Sequence, residues 1–197
     1  MQHTDTSLWH SFLAGDQSSF ETIYTLNYKS LYEYAIRRLG QEEAVKDCLQ
    51  DLFTKLWSNR RNLRPTDNIK YYLFTALKHS LVNMQTTHNR LPGQGTIDPE
   101  QFTLDFEQVS LLEQKEQNTL QLQKLLAAMN ELTGRQKEVI YLRYFEEMEY
   151  TQIAELLDIS VKGVYKLNYR ALETLKEILA ISKKDLLVLL MLLKTIL

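Results

Sequence analysis

The chain has 197 residues, a formal net charge of −2, 44% hydrophobic residues and one cysteine. Six glycines and three prolines make up about 5% of it where average usage gives roughly 12%, which favours long uninterrupted helices. The lone Cys48 excludes an internal disulfide and a multi-cysteine zinc site, and the apolar content excludes wholesale disorder.

The first thirty residues lack a basic segment leading into an apolar run and a small-residue cleavage site, which predicts no signal peptide and a cytoplasmic protein. From about Ser11 to Arg90 the hydrophobic period predicts three helices. Phe20, Ile23, Tyr24, Leu31, Tyr34, Ala35 and Leu39 mark the first, which Gly40 stops. Ala44, Cys48, Leu49, Leu52, Phe53, Leu56 and Trp57 mark the second. A break from Asn62 to Asn68 holds Pro65, and Ile69, Tyr72, Leu73, Ala76, Leu77, Ser80 and Leu81 mark the third. A helical bundle over residues 8–90 is therefore expected.

Two prolines and two glycines then fall within Leu91 to Pro99 (LPGQGTIDP), and residues 91–119 carry six acids against Lys115, a net charge of −5. This span reads as a flexible acidic interdomain linker. Beyond it, residues 120–181 read as a second helical domain. Leu122, Leu125, Leu126 and Met129 form one amphipathic helix, and Thr133 with Gln136 makes a capping-box start for another reaching Phe145. Tyr150 to Leu157 and Val161 to Leu179 are joined by Asp158, Ile159 and Ser160, which predicts a helix-turn-helix with Ser160 as N-cap and Asp158 in the left-handed turn. The tail, residues 182–197, has ten apolar residues in its last twelve and falls short of the roughly 20 a spanning helix needs. Two readings stay open for it: packing on its own domain, or docking on a partner or the other domain.

Charge is polarised within the helix pair. Glu138 to Asp158 holds six acids and one base, whereas Ile159 to Arg170 holds Lys162, Lys166 and Arg170 with no acid. On a helical wheel Val164, Leu167, Ala171, Leu175 and Ile178 share one side, opposite Lys162, Lys166, Tyr169 and Arg170. Such a face suits a recognition helix, and a solvated charged face is the plainer reading. A second basic stretch, Lys55 to Arg90, has seven bases against Asp67, interleaved with Trp57, Tyr71, Tyr72 and Phe74. Cations among aromatics suit single-stranded nucleic acid, with core packing of Trp57, Tyr72 and Phe74 as the alternative.

Four segments in order, Gly15 to Tyr24 (GDQSSFETIY), Asp47 to Trp57 (DCLQDLFTKLW), Tyr71 to Ser80 (YYLFTALKHS) and Leu132 to Ser160, resemble the bacterial sigma-70 family, and the two-domain length points to its extracytoplasmic function (ECF) subgroup. The wording from Val164 to Leu175 resembles members from Bacteroidetes-type bacteria. The resemblance implies an all-α fold of two small domains, sigma region 2 and a region 4 helix-turn-helix. It implies a protein that binds core RNA polymerase at its clamp and flap, melts a −10 promoter element, reads a −35 element and is held by an anti-sigma factor.

By motif position, Asp47, Gln50, Asp51 and Lys55 correspond to the clamp-binding surface, on the side of their helix opposite Phe53 and Trp57. Ser58 to Asn68, with Arg60, Arg61, Asn62 and Arg64, matches the loop that captures a flipped −10 base; Lys70, Tyr71, Phe74, His79 and Asn83 match the helix that follows. Lys162, Gly163, Tyr165, Lys166, Tyr169 and Arg170 fall where the family meets the −35 element. The acidic linker would run toward the RNA exit path, where its charge could mimic a transcript. The chain departs from the family pattern at His79, at Glu149 in place of a Ser or Thr cap, and at Asn168 in place of an apolar residue.

No GxxxxGK loop, dinucleotide fingerprint or HExxH motif is present, and His3, His10, His79 and His88 have no ligand spacing shared with carboxylates. The expectation is a protein with no catalytic residues, metal, cofactor or small-molecule substrate. A dimeric helix-turn-helix regulator with an N-terminal sensor, and a helical adaptor that binds only protein, are the rival readings.

Overall fold

The computed structural model describes residues 4–88, 102–104 and 116–196, all helix and connecting turns with no strand among them. The hinge at Leu91 to Pro99, Arg90 and most of the acidic linker lie outside the described residues. Two units emerge, Met1–Asp98 and Pro99–Leu197.

In the N-terminal unit α1 (Asp5–Leu13), α2 (Gln17–Leu39), α3 (Glu42–Asn59) and α4 (Ile69–His88) are separated by local signals. Asp16 caps α2 by accepting from the Ser19 amide at 2.8 Å, and Gly40 ends it with φ 66°, a left-handed geometry that costs glycine little. A single 3-10 turn, Arg60–Asn62, follows α3. α2 packs on α3 and α4, α3 on α4, and α1 on α2. Ile23, Leu31, Leu49, Leu73 and Leu77 are wholly buried; each such side chain contributes about 1.5–3 kcal/mol relative to exposure. The expectation of three helices omitted α1. Its nine residues are too few to show a period clearly, yet it buries Leu8, Trp9 and Phe12.

The C-terminal unit runs α5 (Glu116–Asn130), α6 (Gly134–Ile140), a π turn (Tyr141–Phe145), α7 (Tyr150–Leu157), α8 (Val161–Leu179) and α9 (Lys183–Ile196). The capping box is present: the Gln136 amide donates to Thr133 Oγ1 at 3.3 Å, and the Thr133 amide to Gln136 Oε1 at 3.0 Å. The helix expected to reach Phe145 instead widens into the π turn, whose residues Tyr141, Leu142 and Phe145 are buried. Glu147 then reverses the chain at φ 59°.

Two further expectations change here. Within the span read as a linker, Phe102 and Leu104 are buried, and the Phe102 ring lies 5.6 Å from that of Tyr141. They belong to the core of the C-terminal unit. The tail forms α9, which lays Leu186, Leu190 and Leu193, all fully buried, against α5, α8 and the π turn. Packing on its own domain is thus the reading that holds. Among the described residues no helix is long and apolar enough to cross a membrane.

Candidate nucleic-acid interface

The loop between α3 and α4 is held from below. The Trp9 indole donates to the Arg64 carbonyl at 3.0 Å, and Asp5 accepts from the Ile69 amide at 2.9 Å, so α1 fixes both the middle of the loop and the start of α4. Asn68 adds an N-cap, accepting from the Tyr71 amide at 2.8 Å. Arg61, Asn62 and Arg64 point outward and are exposed. Arg60 turns inward: it donates to the Trp57 carbonyl at 2.7 Å and its guanidinium sits 4.1 Å from the Trp57 ring centroid. That contact braces the loop and leaves Arg61 and Arg64 as its outward cations.

On α4, Lys70 and Tyr71 are half-buried while His79 and Asn83 are exposed. Phe74 corrects the expectation. Its ring is 0% exposed and lies 5.3 Å from that of Tyr34, so it is core and cannot touch a base without unpacking the bundle. Tyr72 is likewise turned inward, 4.9 Å from Trp9.

Asp47, Gln50, Asp51 and Lys55 are all exposed on α3, with Lys55 paired to Asp51 at 3.6 Å. Gln50 is not opposite Phe53 and Trp57, because a spacing of three and seven residues places it beside them. It lines, with Phe20, Tyr24, Tyr28, Phe53 and Trp57, a groove of about 590 Å³ between α2 and α3. Cys48 lies on the buried side, where desolvation pushes its thiol up to about 11 and leaves it a core residue.

In the C-terminal unit the turn between α7 and α8 is built as its residues require. Asp158 takes φ 53° and ψ 43°, and Ser160 accepts from the Gly163 amide at 3.1 Å. A Cβ on Gly163 would approach the Ser160 hydroxyl to 3.3 Å, so the missing side chain accommodates the cap. Glu149 begins α7 without a Ser or Thr: its amide donates to Gln152 Oε1 at 3.0 Å and its carboxylate pairs with Arg143 at 3.3 Å.

Lys162, Tyr165, Lys166, Tyr169 and Arg170 form the exposed face of α8, with Tyr165 54% and Tyr169 63% exposed. The buried stripe is Val164, Asn168, Ala171, Leu172 and Leu175, rotated from the expected one; Ile178 is 49% exposed. Asn168 is held inside by the hydroxyls of Tyr150 and Tyr144, at 3.0 and 3.4 Å. Sequence spacing could not reveal its tyrosine partners, nor the roles of Asp5 and Trp9, since those contacts join distant parts of the chain. Over residues 161–170, the first half of α8, three lysine and arginine side chains and two exposed rings with no acid among them make a surface suited to phosphates and to base edges in a duplex major groove. Among the described residues no group of His, Cys, Asp and Glu could hold a metal ion.

The Sigma-70 region 2 family profile matches residues 23–91, and the Sigma-70, region 4 profile matches residues 122–175, together more than half of the chain. The RNA polymerase sigma factor YlaC of Bacillus subtilis (strain 168) is 26% identical over 180 residues, covering 86% of this chain and 96% of that protein. SigV of the same organism, also an RNA polymerase sigma factor, is 22% identical over 165 residues, covering 84% and 92%. Among solved structures, the sigma factor RpoE in complex with the anti-sigma factor NepR from Bartonella quintana shares the fold with a TM-score of 0.55 at 21% identity, covering 83% of this chain and 98% of that one. CnrH in complex with the cytosolic domain of CnrY matches at 0.55 and 21%, covering 90% and 98%.

Proposed function

Because the chain belongs to the sigma-70 family, as an RNA polymerase sigma factor of the ECF type that binds core polymerase and directs promoter-specific initiation, we propose how its residues divide that work. The observation that carries the proposal is the exposed face of α8, basic and aromatic, backed by a buried stripe and introduced by a three-residue turn. Lys162, Lys166 and Arg170 meet phosphates or guanine edges of the −35 element, and Tyr165 and Tyr169 meet base edges.

In region 2 the loop carrying Arg61, Asn62 and Arg64 receives an extruded −10 base. Lys70, Tyr71, His79 and Asn83 continue the path of the single strand along α4. Extracting a base costs a few kcal/mol of stacking, which a ring such as Tyr71 and flanking cations offset. Asp47, Gln50, Asp51 and Lys55 bind the polymerase clamp, and the C-terminal unit approaches the flap. The polymerase supplies the catalysis, in the cytoplasm where its template lies.

An anti-sigma factor is proposed as the inhibitor, by likeness to the two structures that contain one. The Val164 to Leu175 wording supports a Bacteroidetes-type member. Run-off transcription with purified core polymerase tests the whole reading: transcripts from a defined start should depend on the added chain. Tight binding to duplex DNA by the free chain, with no stimulation of initiation, would replace it with the dimeric-regulator reading. Tyr71→Ala should slow opening of duplex promoters more than of pre-opened bubbles; equal effects would remove Tyr71 from melting.

A further inference from the structure

α8 carries an amide where its packing asks for a hydrocarbon. Asn168 is 7% exposed on the buried stripe, in line with Val164, Ala171 and Leu175. Its Nδ2 donates to the Tyr150 hydroxyl at 3.0 Å and the Tyr144 hydroxyl at 3.4 Å, while Oδ1 has no hydrogen-bond partner among the described residues. A buried carbonyl oxygen left without a donor is destabilising, so leucine would be the easier residue to hold there. The two hydroxyl contacts give Asn168 little net stability over a hydrocarbon of its size.

Its nearer partner explains the amide. Tyr150, at the start of α7, is gripped at both ends. The hydroxyl is met by Asn168 and by Arg143, and the ring lies 4.1 Å from the ring of Tyr165 at an interplanar angle of 31°. The Arg143 guanidinium is 4.9 Å from the same ring, and is itself anchored to the Met148 carbonyl at 2.8 Å. Tyr165 in turn stands among the exposed residues of α8. Stacked rings slide over one another at little cost, whereas a hydrogen bond is directional. The ring contact alone would leave Tyr150 free to swing in its plane; Arg143 limits the swing from the exposed side, and the directional contact with Asn168 fixes the hydroxyl from the buried side.

We infer that Asn168 is a positioning residue for promoter readout: through the Tyr150 hydroxyl it fixes the ring on which Tyr165 rests, and so the direction in which Tyr165 meets the major groove. The inference rests on the −35 reading of α8. It makes specificity, rather than affinity for phosphate, the quantity that depends on Asn168, because the cations of the face are untouched.

The test uses the full chain assembled with core polymerase and a duplex selected by that holoenzyme from a library randomised at the −35 position. Binding to the selected duplex and to its single-base variants is then compared for wild type, Asn168→Leu, Tyr150→Phe and the double variant. Asn168→Leu relieves the unpartnered oxygen but leaves the Tyr144 and Tyr150 hydroxyls without the amide, so it should stay folded with a melting temperature within a few degrees of wild type yet lose roughly threefold to tenfold of its base discrimination, part of what one base contact supplies. Tyr150→Phe keeps the stack and loses the hydroxyl, so it should do the same, and the double variant should be no worse than either. The salt dependence of binding should not change. Wild-type discrimination in either single variant, whatever its melting temperature, overturns the inference and leaves Asn168 a packing residue. If the wild-type holoenzyme selects no −35 preference at all, the −35 reading itself fails and takes the inference with it. Should Asn168→Leu not fold, Tyr150→Phe reads the same link.

Discussion

The indole Nε1 of Trp9 donates to the backbone carbonyl of Arg64 at 3.0 Å, across 55 positions of the chain. The first helix is thereby tied to the loop that is proposed to receive a base. Trp9→Phe keeps a ring between Phe12 and Tyr72, whose centroids lie 5.0 and 4.9 Å away, and removes the donor together with the second ring of a buried indole. The expected loss is about 1 kcal/mol for the hydrogen bond and about 1–3 kcal/mol more for the void left by the smaller ring, accompanied by slower opening of duplex promoters. Urea unfolding and a permanganate footprint of the opened strand measure the two. Slower opening is the diagnostic result, and unchanged opening with lowered stability would make Trp9 a core residue alone.

Arg170 stands at the exposed end of the α8 face and bears on affinity. Arg170→Ala should weaken promoter-complex formation and lower the slope of log affinity against log salt by about 1, the signature of one lost phosphate contact. Titrations over a range of ionic strength give that slope. An unaltered slope would reassign Arg170 to a base or to solvent.

Leu190, on the inner side of α9, is fully buried. Leu190→Ala should destabilise the C-terminal unit by about 2–5 kcal/mol, the cost of the lost burial and the cavity left behind. Hydrogen exchange resolved along the chain should place the loss in α5, α8 and α9, with α2 to α4 protected as before. Loss of protection in α2 to α4 instead would contradict the assignment of α9 to its own domain.

Asp16 sets an acid limit. Hydrogen bonds from the Ser19 and Ser18 hydroxyls, followed by the Ser19 amide, hold its carboxyl below the usual 3.8. A folded value depressed below the unfolded one contributes stability that is complete above 3.8 and is lost as pH falls through the folded value. Asp16→Asn keeps a capping oxygen that does not titrate. The stability advantage of the wild type over this variant should therefore shrink as pH drops through and below 3.8, read from paired melting curves. A constant difference would show that the carboxylate contributes nothing beyond the amide.

What could be read from the residues alone was whatever is decided locally. The Thr133 and Gln136 box, the Ser160 cap and the left-handed Asp158 each depend on neighbours within four positions, and each is found as expected. The period of α2 to α4 is likewise a property of one helix. Phe74 stayed open between a base contact and the core because a wheel tells which residues share a side and not which side meets a partner; α4 is packed on both α2 and α3, and that takes Phe74 inward. Asn168 was legible as a polar residue at an apolar place, but the two tyrosine hydroxyls that meet it come from outside α8 and were not. Phe102 and Leu104 sat in a strongly acidic run whose average concealed two apolar side chains. Of the site, the exposed face of α8 and the polar face of α3 were legible, while the props behind them were not.

The contacts of Trp9 with Arg64 and of Trp57 with Arg60 have an optical consequence. Trp9 and Trp57 are the chain's only two tryptophans, and each touches an arginine of the same loop. Selective excitation of indole therefore illuminates region 2 and leaves region 4, which has tyrosines but no tryptophan, dark. A change in emission on adding single-stranded DNA would report the loop directly, with no label attached.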